Sequence, residues 1–136
     1  MEISIVTPCF NSIRWIGLCV RSVRYSLQGQ DYEHIVCDGG STDGTLEYLR
    51  QQRDIQLIPG PDKGMYDAMN KGMAAARGRW VGHLNVDEQY DRAGLALALK
   101  RLQRPNVDAV FGPTVMLDEE LRFLYLYKQI VRPWKV

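Results

Sequence analysis

Few of the residues that build redox or metal sites are found in the sequence. Its 136 residues include two histidines and three cysteines. Cys9, Cys19 and Cys37 lie at spacings that match no zinc or redox motif, so we interpret them as small buried apolar side chains. A nucleophilic role stays open for Cys9, which lies in a predicted loop, although neither histidine can be placed beside it. A metal site built on His or Cys is therefore not predicted.

Charge of one sign and long apolar runs are lacking as well. Lys and Arg number 17 against 16 for Asp and Glu, a net charge of +1. We therefore predict no nucleic-acid partner, because nothing would attract a phosphate backbone. The longest strictly apolar runs, 95–99 and 123–127, have five residues, against the roughly 20 that span a bilayer. The first residues lack the basic and apolar regions of a secretory signal, so we expect a cytoplasmic protein.

Three common ligand-binding motifs are also missing. No two glycines are separated by one residue and no glycine precedes a lysine, which excludes the dinucleotide fingerprint and the P-loop. The segment 39–44 begins like a calcium loop, but Gly39 and Ser41 stand where the first and third ligands would be. These absences exclude the commonest dinucleotide, ATPase and calcium-binding proteins.

Short β-rich runs alternate with helical patterns from residue 3 to about residue 112. This order is typical of βαβ units around a mostly parallel sheet, so the predicted fold class is α/β. The first strand is predicted to end at Thr7 and Pro8, because proline lacks a ladder donor. Met65, Met69, Met73 and Ala76 are predicted to form the buried face of a helix over 65–77. The predicted strands are 3–6, 34–37, 55–58, 80–84 and 107–111.

The pattern changes after Gly112. Residues 114–117 and 121–127, separated by the acidic turn 118–120, predict a β-hairpin. Its second strand is apolar on both sides and should be covered on both faces. We predict one domain over 1–136, with an α/β part at 1–112 and a hairpin and tail at 113–136. One hypothesis is that the hairpin pairs with a second copy, giving a homo-oligomer.

Acidic and amide side chains follow four of the predicted strands. Asp38, Asp62 and Asp87 come directly after strands or in the loops that leave them. Each alone is typical of a turn or a helix cap. Because the carboxyl ends of parallel strands meet at one edge, where ligands of open α/β sheets bind, we expect these groups to converge. Oxygen ligands without His or Cys suit Mg²⁺ or Mn²⁺ held jointly with substrate phosphates.

Four segments together resemble the family 2 glycosyltransferases, in the same order and at similar spacing. The likeness is greatest to bacterial enzymes that build surface polysaccharide or O-antigen, and it covers residues 3 to about 120. The segments are ISIVTPCFN at 3–11, IVCDGGSTDGT at 35–45, DKGMYDAMNKG at 62–72 and NVDE at 85–88.

The resemblance implies a GT-A-type fold, with a Rossmann-like, mostly parallel sheet and flanking helices. It implies transfer of a sugar, with inversion, from a nucleotide-diphosphate donor to a glycan or lipid-linked acceptor in polysaccharide biosynthesis. A UDP-sugar is the expected donor and Mn²⁺ or Mg²⁺ the expected cofactor. Peripheral attachment of a cytoplasmic enzyme to the inner membrane stays open.

The resemblance also suggests which residues hold the nucleotide sugar. Asp38 matches the carboxylate that accepts a hydrogen bond from the nucleobase imide. The remaining matches are the base-and-ribose loop, with Pro8, Phe10 and Asn11, and the ribose and diphosphate positions, with Asp67, Asn70 and Lys71.

Asn85, Asp87 and Glu88 correspond to the metal-binding D-x-D signature of the family, and Asp87 is expected to coordinate the ion. Asn85 replaces the first acid of that pattern, which removes one negative charge. Glu88 is one methylene longer than the Asp frequent at its position, so we expect it to act on the ion through water or not at all.

No catalytic base is identified in this chain. The family places its base in a carboxyl-terminal segment, and nothing after residue 120 matches it, so that part of the enzyme is expected to be missing. The catalytic residue is thus unknown, and a non-catalytic module that binds a nucleotide sugar or self-associates is the alternative. A nucleotidyltransferase is disfavoured, because residues 7–11 contain neither Gly, Lys nor Arg.

Overall fold

A computed structural model describes residues 1–127. The chain forms two compact units, Met1–Arg92 and a second unit that begins at Ala93. The elements in chain order are β1 (Ile3–Cys9), α1 (Ile13–Ser26), β2 (Tyr32–Asp38), α2 (Thr45–Arg50), β3 (Gln56–Pro59), α3 (Met65–Ala75), β4 (Trp80–His83), α4 (Arg92–Leu102), β5 (Thr114–Leu117) and β6 (Phe123–Tyr127).

The first unit contains a four-stranded parallel sheet with the order β3-β2-β1-β4. Ile3 is opposite Tyr32 of β2 on one side and Trp80 of β4 on the other. The helices α1 and α2 join β1 to β2 and β2 to β3, and α3 carries the chain from β3 at one edge of the sheet to β4 at the other. Parallel strands need such crossover connections. The carboxyl ends of all four strands therefore meet at one edge, which confirms the predicted mostly parallel α/β arrangement.

Helices cover both faces of this sheet. Cys9 and Val36 pack with Ile16 and Val20 of α1 and Leu49 of α2 on one face. Val6, Ile35 and Cys37 pack with Ala68 of α3 on the other face. All residues of β1 are buried, which is expected for a central parallel strand covered on both sides. The three cysteines are free and buried, as predicted.

The first strand is longer than predicted. It was expected to end at Thr7 and Pro8, but Pro8 lies inside β1, opposite Cys37. β4 pairs with β1 only as far as Val6. Beyond Val6, one side of β1 has no ladder partner among residues 1–127, so the strand accommodates a proline that cannot donate a hydrogen bond.

The strand predicted at 107–111 does not form, and residues 103–113 contain no regular element. A strand needs a partner to pair with, and a short apolar run in the sequence does not reveal whether it has one. The helix α3 ends at Ala75 rather than at residue 77.

A buried carboxylate joins three segments at the edge of the sheet opposite the carboxyl ends. Glu33 of β2 accepts hydrogen bonds from Ser4 Oγ at 2.6 Å and from the backbone N–H of Arg77 at 2.7 Å. Ser4 Oγ in turn accepts from Gly78 N–H at 2.8 Å. These bonds fix the connection between α3 and β4.

The second unit contains the antiparallel pair β5-β6, so the predicted hairpin is confirmed. Asp118 closes its turn, accepting from the backbone N–H of Arg122 at 2.8 Å and forming an ion pair with the same residue. Phe123 and Leu124, which point to opposite faces of β6, are 65% and 53% exposed. Within residues 1–127, no helix is long and apolar enough to cross a membrane.

Candidate functional site

A cavity of about 790 Å³ lies at the carboxyl edge of the four-stranded sheet. Its volume is within the usual range of small-molecule sites. Residues that follow each of the four strands contribute to its wall, as does the first turn of α3. The lining residues are Pro8, Cys9, Phe10, Ser12, Trp15, Gly39, Asp62, Gly64, Met65, Ala68, Asn85, Val86 and Asp87.

Pro8, Phe10, Asn85 and Asp87 are therefore the predicted site residues that the fold brings together around the cavity. The side chain of Phe10 is 60% exposed, so its ring is available to a ligand. Trp15, on the first turn of α1, adds a second aromatic side chain that sequence reasoning missed. No sequence signal distinguished it from the other residues of an amphipathic helix.

Asn11 connects the loops that follow β1 and β2. Its backbone N–H donates to Ser41 Oγ at 2.8 Å, and its side-chain oxygen accepts from the backbone N–H of Thr42 at 2.9 Å. The residue has φ = 46°, in the left-handed region that Asn tolerates better than most residues. Gly39 adds a third bond between the loops, from its N–H to Cys9 O at 2.9 Å. Asn11 thus holds together the two loops that carry Phe10 and Gly39 to the cavity wall but does not line the cavity itself.

The carboxylate of Asp43 caps two helices. Its Oδ2 accepts from the N–H of Ile13 at the start of α1, and its Oδ1 accepts from the N–H of Thr45 at the start of α2. The hydrogen bond from the Thr45 hydroxyl, followed by those from the backbone, holds the pKa of Asp43 below its usual value. Ser12, the residue before α1, makes no side-chain cap of its own.

Asp38 is buried, with 1% of its surface exposed, and does not line the cavity. Its Oδ1 accepts from the backbone N–H groups of Gly40 and Ser41 at 3.1 and 2.9 Å. Its Oδ2 accepts from Ser41 Oγ at 2.6 Å. Asp38 therefore holds the turn after β2, and its contact with a nucleobase stays a prediction from the resemblance.

Asp62 lies in the loop that follows β3 and lines the cavity next to Gly39. Its Oδ1 accepts from the backbone N–H of Gly64 at 2.9 Å. Its Oδ2 approaches Gly39 so closely that a Cβ at that position would lie 2.6 Å away. The sequence analysis expected Asp62 to converge with Asp38 and Asp87 at this edge, but the family resemblance gave Asp62 no role of its own.

Asp67 and Lys71 form an ion pair on α3, with 3.2 Å between Nζ and Oδ2. Asp67 also accepts from the backbone N–H of Lys63 at 3.0 Å, and Lys71 Nζ donates to Pro61 O at 2.7 Å. The Lys63 N–H, then the Lys71 ammonium, lowers the pKa of Asp67. These two side chains fix the loop 61–64 to α3, whereas Asn70 is exposed. None of the three lines the cavity.

Asn85 and Glu88 form a tight turn after β4. The backbone N–H of Asn85 donates to Glu88 Oε2 at 3.0 Å, and the N–H of Glu88 donates to Asn85 O at 3.0 Å. Asn85 Oδ1 is buried and has no hydrogen-bond partner among the described residues. Asp87 is exposed at the cavity wall. No group of three or more His, Cys, Asp or Glu that could hold a metal occurs in residues 1–127.

Burial controls the chemistry of Cys9, which also lines the cavity. Desolvation, with the nearby Asp38 carboxylate, raises the pKa of the Cys9 thiol to about 12. The thiolate is the nucleophilic form of cysteine, and it is scarce at neutral pH when the pKa is this high. Cys9 therefore acts as a packing residue, in agreement with the interpretation of the cysteines as buried apolar side chains.

Comparison with known proteins places these features in a family. The sequence model described as glycosyl transferase family 2 matches residues 4–135. A relative from Mycobacterium bovis, named PGL/p-HBAD biosynthesis glycosyltransferase, is 32% identical over 127 residues, which are 88% of this chain and 49% of the relative. The chain thus spans about half the length of this curated relative.

Two solved structures share the fold. The mannosyltransferase PcManGT from Pyrobaculum calidifontis, in complex with GDP-Man and Mn²⁺, is similar with a TM-score of 0.70 and 26% identity, over 78% of this chain and 33% of that one. TarS from S. aureus, in complex with UDP-GlcNAc, has a TM-score of 0.68 and 21% identity, over 88% and 39%. The predicted GT-A-type fold is confirmed, and the chain belongs to glycosyl transferase family 2.

Proposed function

We propose that this chain is the donor-binding part of an inverting glycosyltransferase that uses a UDP-sugar. The observation that carries the proposal is the cavity where Phe10 and Trp15 meet the oxygen-bearing side chains of Asp62, Asn85 and Asp87. The solved relatives hold GDP-Man and UDP-GlcNAc, which supports a nucleotide sugar as the ligand. The acceptor would be a glycan or lipid-linked hydroxyl in polysaccharide biosynthesis, as the family resemblance implies.

The cavity offers different surfaces to the different parts of such a donor. Aromatic rings provide faces on which a nucleobase stacks, and Phe10 and Trp15 both reach the cavity. Asn85 and Asp87 lie in the loop that leaves β4 and would face the diphosphate. This arrangement binds the donor and orients its leaving group.

The residues after β4 fit a hard divalent cation, Mn²⁺ or Mg²⁺. Such ions bind through one or two protein oxygen ligands and complete their shell with water and substrate phosphates. Asn85 Oδ1 is buried without a partner in the part of the chain that the structure describes, and Asp87 lies at the same cavity. Asn85 and Asp87 would hold the ion, while Glu88 keeps their turn in place. A bound cation stabilises the charge that develops on the departing diphosphate.

Inversion requires a base on the face of the sugar opposite the leaving group. We assign no base among residues 1–127. Because the chain spans about half of its curated relative, the base and the acceptor site are proposed to belong to the remaining part of the enzyme. This chain then supplies donor binding and leaving-group stabilisation.

Calorimetric titration of UDP with and without Mn²⁺ tests the donor site. We expect Mn²⁺ to tighten UDP binding, and Asp87→Ala to remove that gain, a loss of about tenfold or more for one charge-assisted ligand. GDP and dTDP serve as competitors that rank the bases. Glu47→Ala, which removes an exposed carboxylate from α2, is the matched control. A folded protein that binds none of these nucleotides would overturn the proposal.

The exposed apolar side chains of the hairpin favour a second candidate, a self-associating module. Val115, Phe123 and Leu124 are 53%, 65% and 53% exposed. Isolated exposed apolar residues are ordinary, but a group on one small hairpin is typical of an interaction surface. A second copy of the chain is the proposed partner.

A further inference from the structure

The loops after β2 and β3 meet at Gly39 and Asp62. β2 and β3 are neighbours, and the backbone N–H of Gly60 donates to Asp38 O at 3.0 Å, so the two loops leave the sheet side by side. Gly39 and Asp62 both line the cavity. The Asp62 carboxylate fills the space that a side chain at position 39 would occupy, with Oδ2 at 2.6 Å and Cγ at 3.1 Å from the position of a Cβ there.

Asp38 and Asp62, in the turns after the neighbouring strands β2 and β3, differ in what they can offer to a ligand. Both oxygens of Asp38 already accept hydrogen bonds from its own turn, and its side chain is buried away from the cavity. Asp62 is only half-buried, and its described hydrogen bond, from Gly64 N–H, uses Oδ1. Asp62 lines the cavity, and its Oδ2 lies beside Gly39, a residue without a side chain, so we expect a ligand to be able to approach that oxygen.

We infer that Asp62, rather than Asp38, accepts the ring N–H of the nucleobase and selects bases that carry such a donor. The inference rests on the proposed function, since it names the residue that reads the base. An ionised carboxylate only accepts hydrogen bonds. Uracil presents an N–H at ring position 3, whereas cytosine presents a lone pair there, which a carboxylate repels. Asp62 therefore favours a uridine nucleotide over a cytidine nucleotide.

Gly39 is needed for Asp62 to take this position. Any side chain there would collide with the Asp62 carboxylate and push it from the cavity wall. The φ of Gly39 lies outside the left-handed region, so conformational freedom does not explain the glycine. The absence of a side chain at Gly39 and the position of Asp62 are complementary.

The test compares UDP with its N3-methyl derivative, which lacks the ring N–H, by calorimetry in the presence of Mn²⁺. We expect the wild-type chain to bind UDP about tenfold or more tightly than N3-methyl-UDP, as for one hydrogen bond to a charged group. Asp62→Ala should bring this ratio close to one. Gly39→Ala should also lower it, because the new methyl group displaces the carboxylate without removing it.

Asp54→Ala is the matched control, since Asp54 precedes β3 at its other end and pairs with Arg24 away from the cavity. The ratio of UDP affinity to N3-methyl-UDP affinity in Asp54→Ala should equal that of the wild type. A swap variant, Asp62→Ala combined with Gly39→Asp, places a carboxylate back in the same space from the neighbouring loop. We expect the swap to restore preference for UDP over N3-methyl-UDP, including the case where Asp62→Ala alone binds too weakly to measure.

The outcomes separate this inference from the proposed function. A wild-type chain that binds UDP but does not distinguish it from N3-methyl-UDP overturns the inference and leaves the donor site intact. An unchanged ratio in Asp62→Ala, or a swap variant without restored preference, also overturns it. A wild-type chain that binds no nucleotide removes the proposed function and the inference together.

Discussion

At the scale of single residues, His34 is a titratable group enclosed in the core. It is 2% exposed, and its Nε2 lies 2.9 Å from Thr7 Oγ1. Burial lowers the pKa of His34 to about 4, whereas an unfolded histidine titrates near 6.5. The folded state therefore contains the neutral imidazole ring, and protonation of His34 favours the unfolded state.

The expected result is a loss of stability as the pH falls from about 6.5 towards about 4. In that pH range His34 binds a proton in the unfolded chain but not in the folded chain, so the free energy of unfolding decreases by roughly 3 kcal/mol in total. Urea unfolding at several pH values measures the slope. In His34→Gln, which keeps a hydrogen-bonding side chain, the slope should flatten. An unchanged slope would assign it to other groups.

The residue scale also shows what the sequence could reveal of the site. Pro8, Phe10, Asn85 and Asp87 were predicted from strand ends and motif likeness, and they line the cavity. The assignment of Asp38 to the nucleobase stays a prediction. Asp62 lines the cavity because it lies very close to Gly39 in the folded chain. Contacts between residues so distant in sequence leave no local pattern.

At the scale of elements, the packing of α3 depends on a glycine. A Cβ at Gly72 would lie 2.3 Å from Val6 Cγ1 and 3.2 Å from Cys37 Sγ. Gly17 of α1 is also within a helix, but a Cβ there would lie 3.4 Å from Tyr48 OH, an ordinary contact. The two helical glycines therefore make a matched pair.

Gly72→Ala should destabilise the protein by about 1–3 kcal/mol, because overpacking outweighs the gain in helix propensity. Gly17→Ala should leave stability unchanged or raise it by up to about 1 kcal/mol. Denaturant unfolding of both variants provides the comparison. UDP affinity should fall in Gly72→Ala as well, since α3 carries Met65 and Ala68 into the cavity wall. Equal effects of the two substitutions would contradict this account of α3.

The same helix shows where sequence patterns mislead. The apolar spacing predicted a buried face with Met65 and Met73, but these side chains are 46% and 50% exposed. The buried residues of α3 are Ala68 and Gly72. The periodicity argument assigns the most apolar residues to the buried face. A helix that lies very close to a sheet instead needs small residues at the contact. The first strand was predicted too short for a related reason. The sequence does not show that one side of the strand lacks a partner at Pro8, where a proline is therefore tolerated.

At the scale of the whole molecule, the fold class could be predicted because strands and helices alternate along the chain, and this alternation is visible in the sequence. The strand order β3-β2-β1-β4 could not, since it depends on the pairing of β1 with the distant β4. The division into an α/β part at 1–112 and a tail at 113–136 stays a prediction, as does the cytoplasmic location.

The exposed hairpin leads to a prediction about association. The protein should show a mass that rises with concentration in sedimentation equilibrium, and Phe123→Lys should reduce this, because a charge in an apolar contact is costly. Leu97→Lys, at an exposed apolar position on α4, is the control and should behave like the wild type. A protein that stays monomeric at high concentration would exclude the self-associating module.

Among residues 1–127, those that line the cavity fall between Pro8 and Asp87, within the unit Met1–Arg92. These residues thus come from one continuous segment of the chain. A recombination event downstream of Arg92 would pass the whole cavity on intact while exchanging everything after it. In evolution, such an arrangement lets the downstream segments diversify while the cavity is inherited as a block.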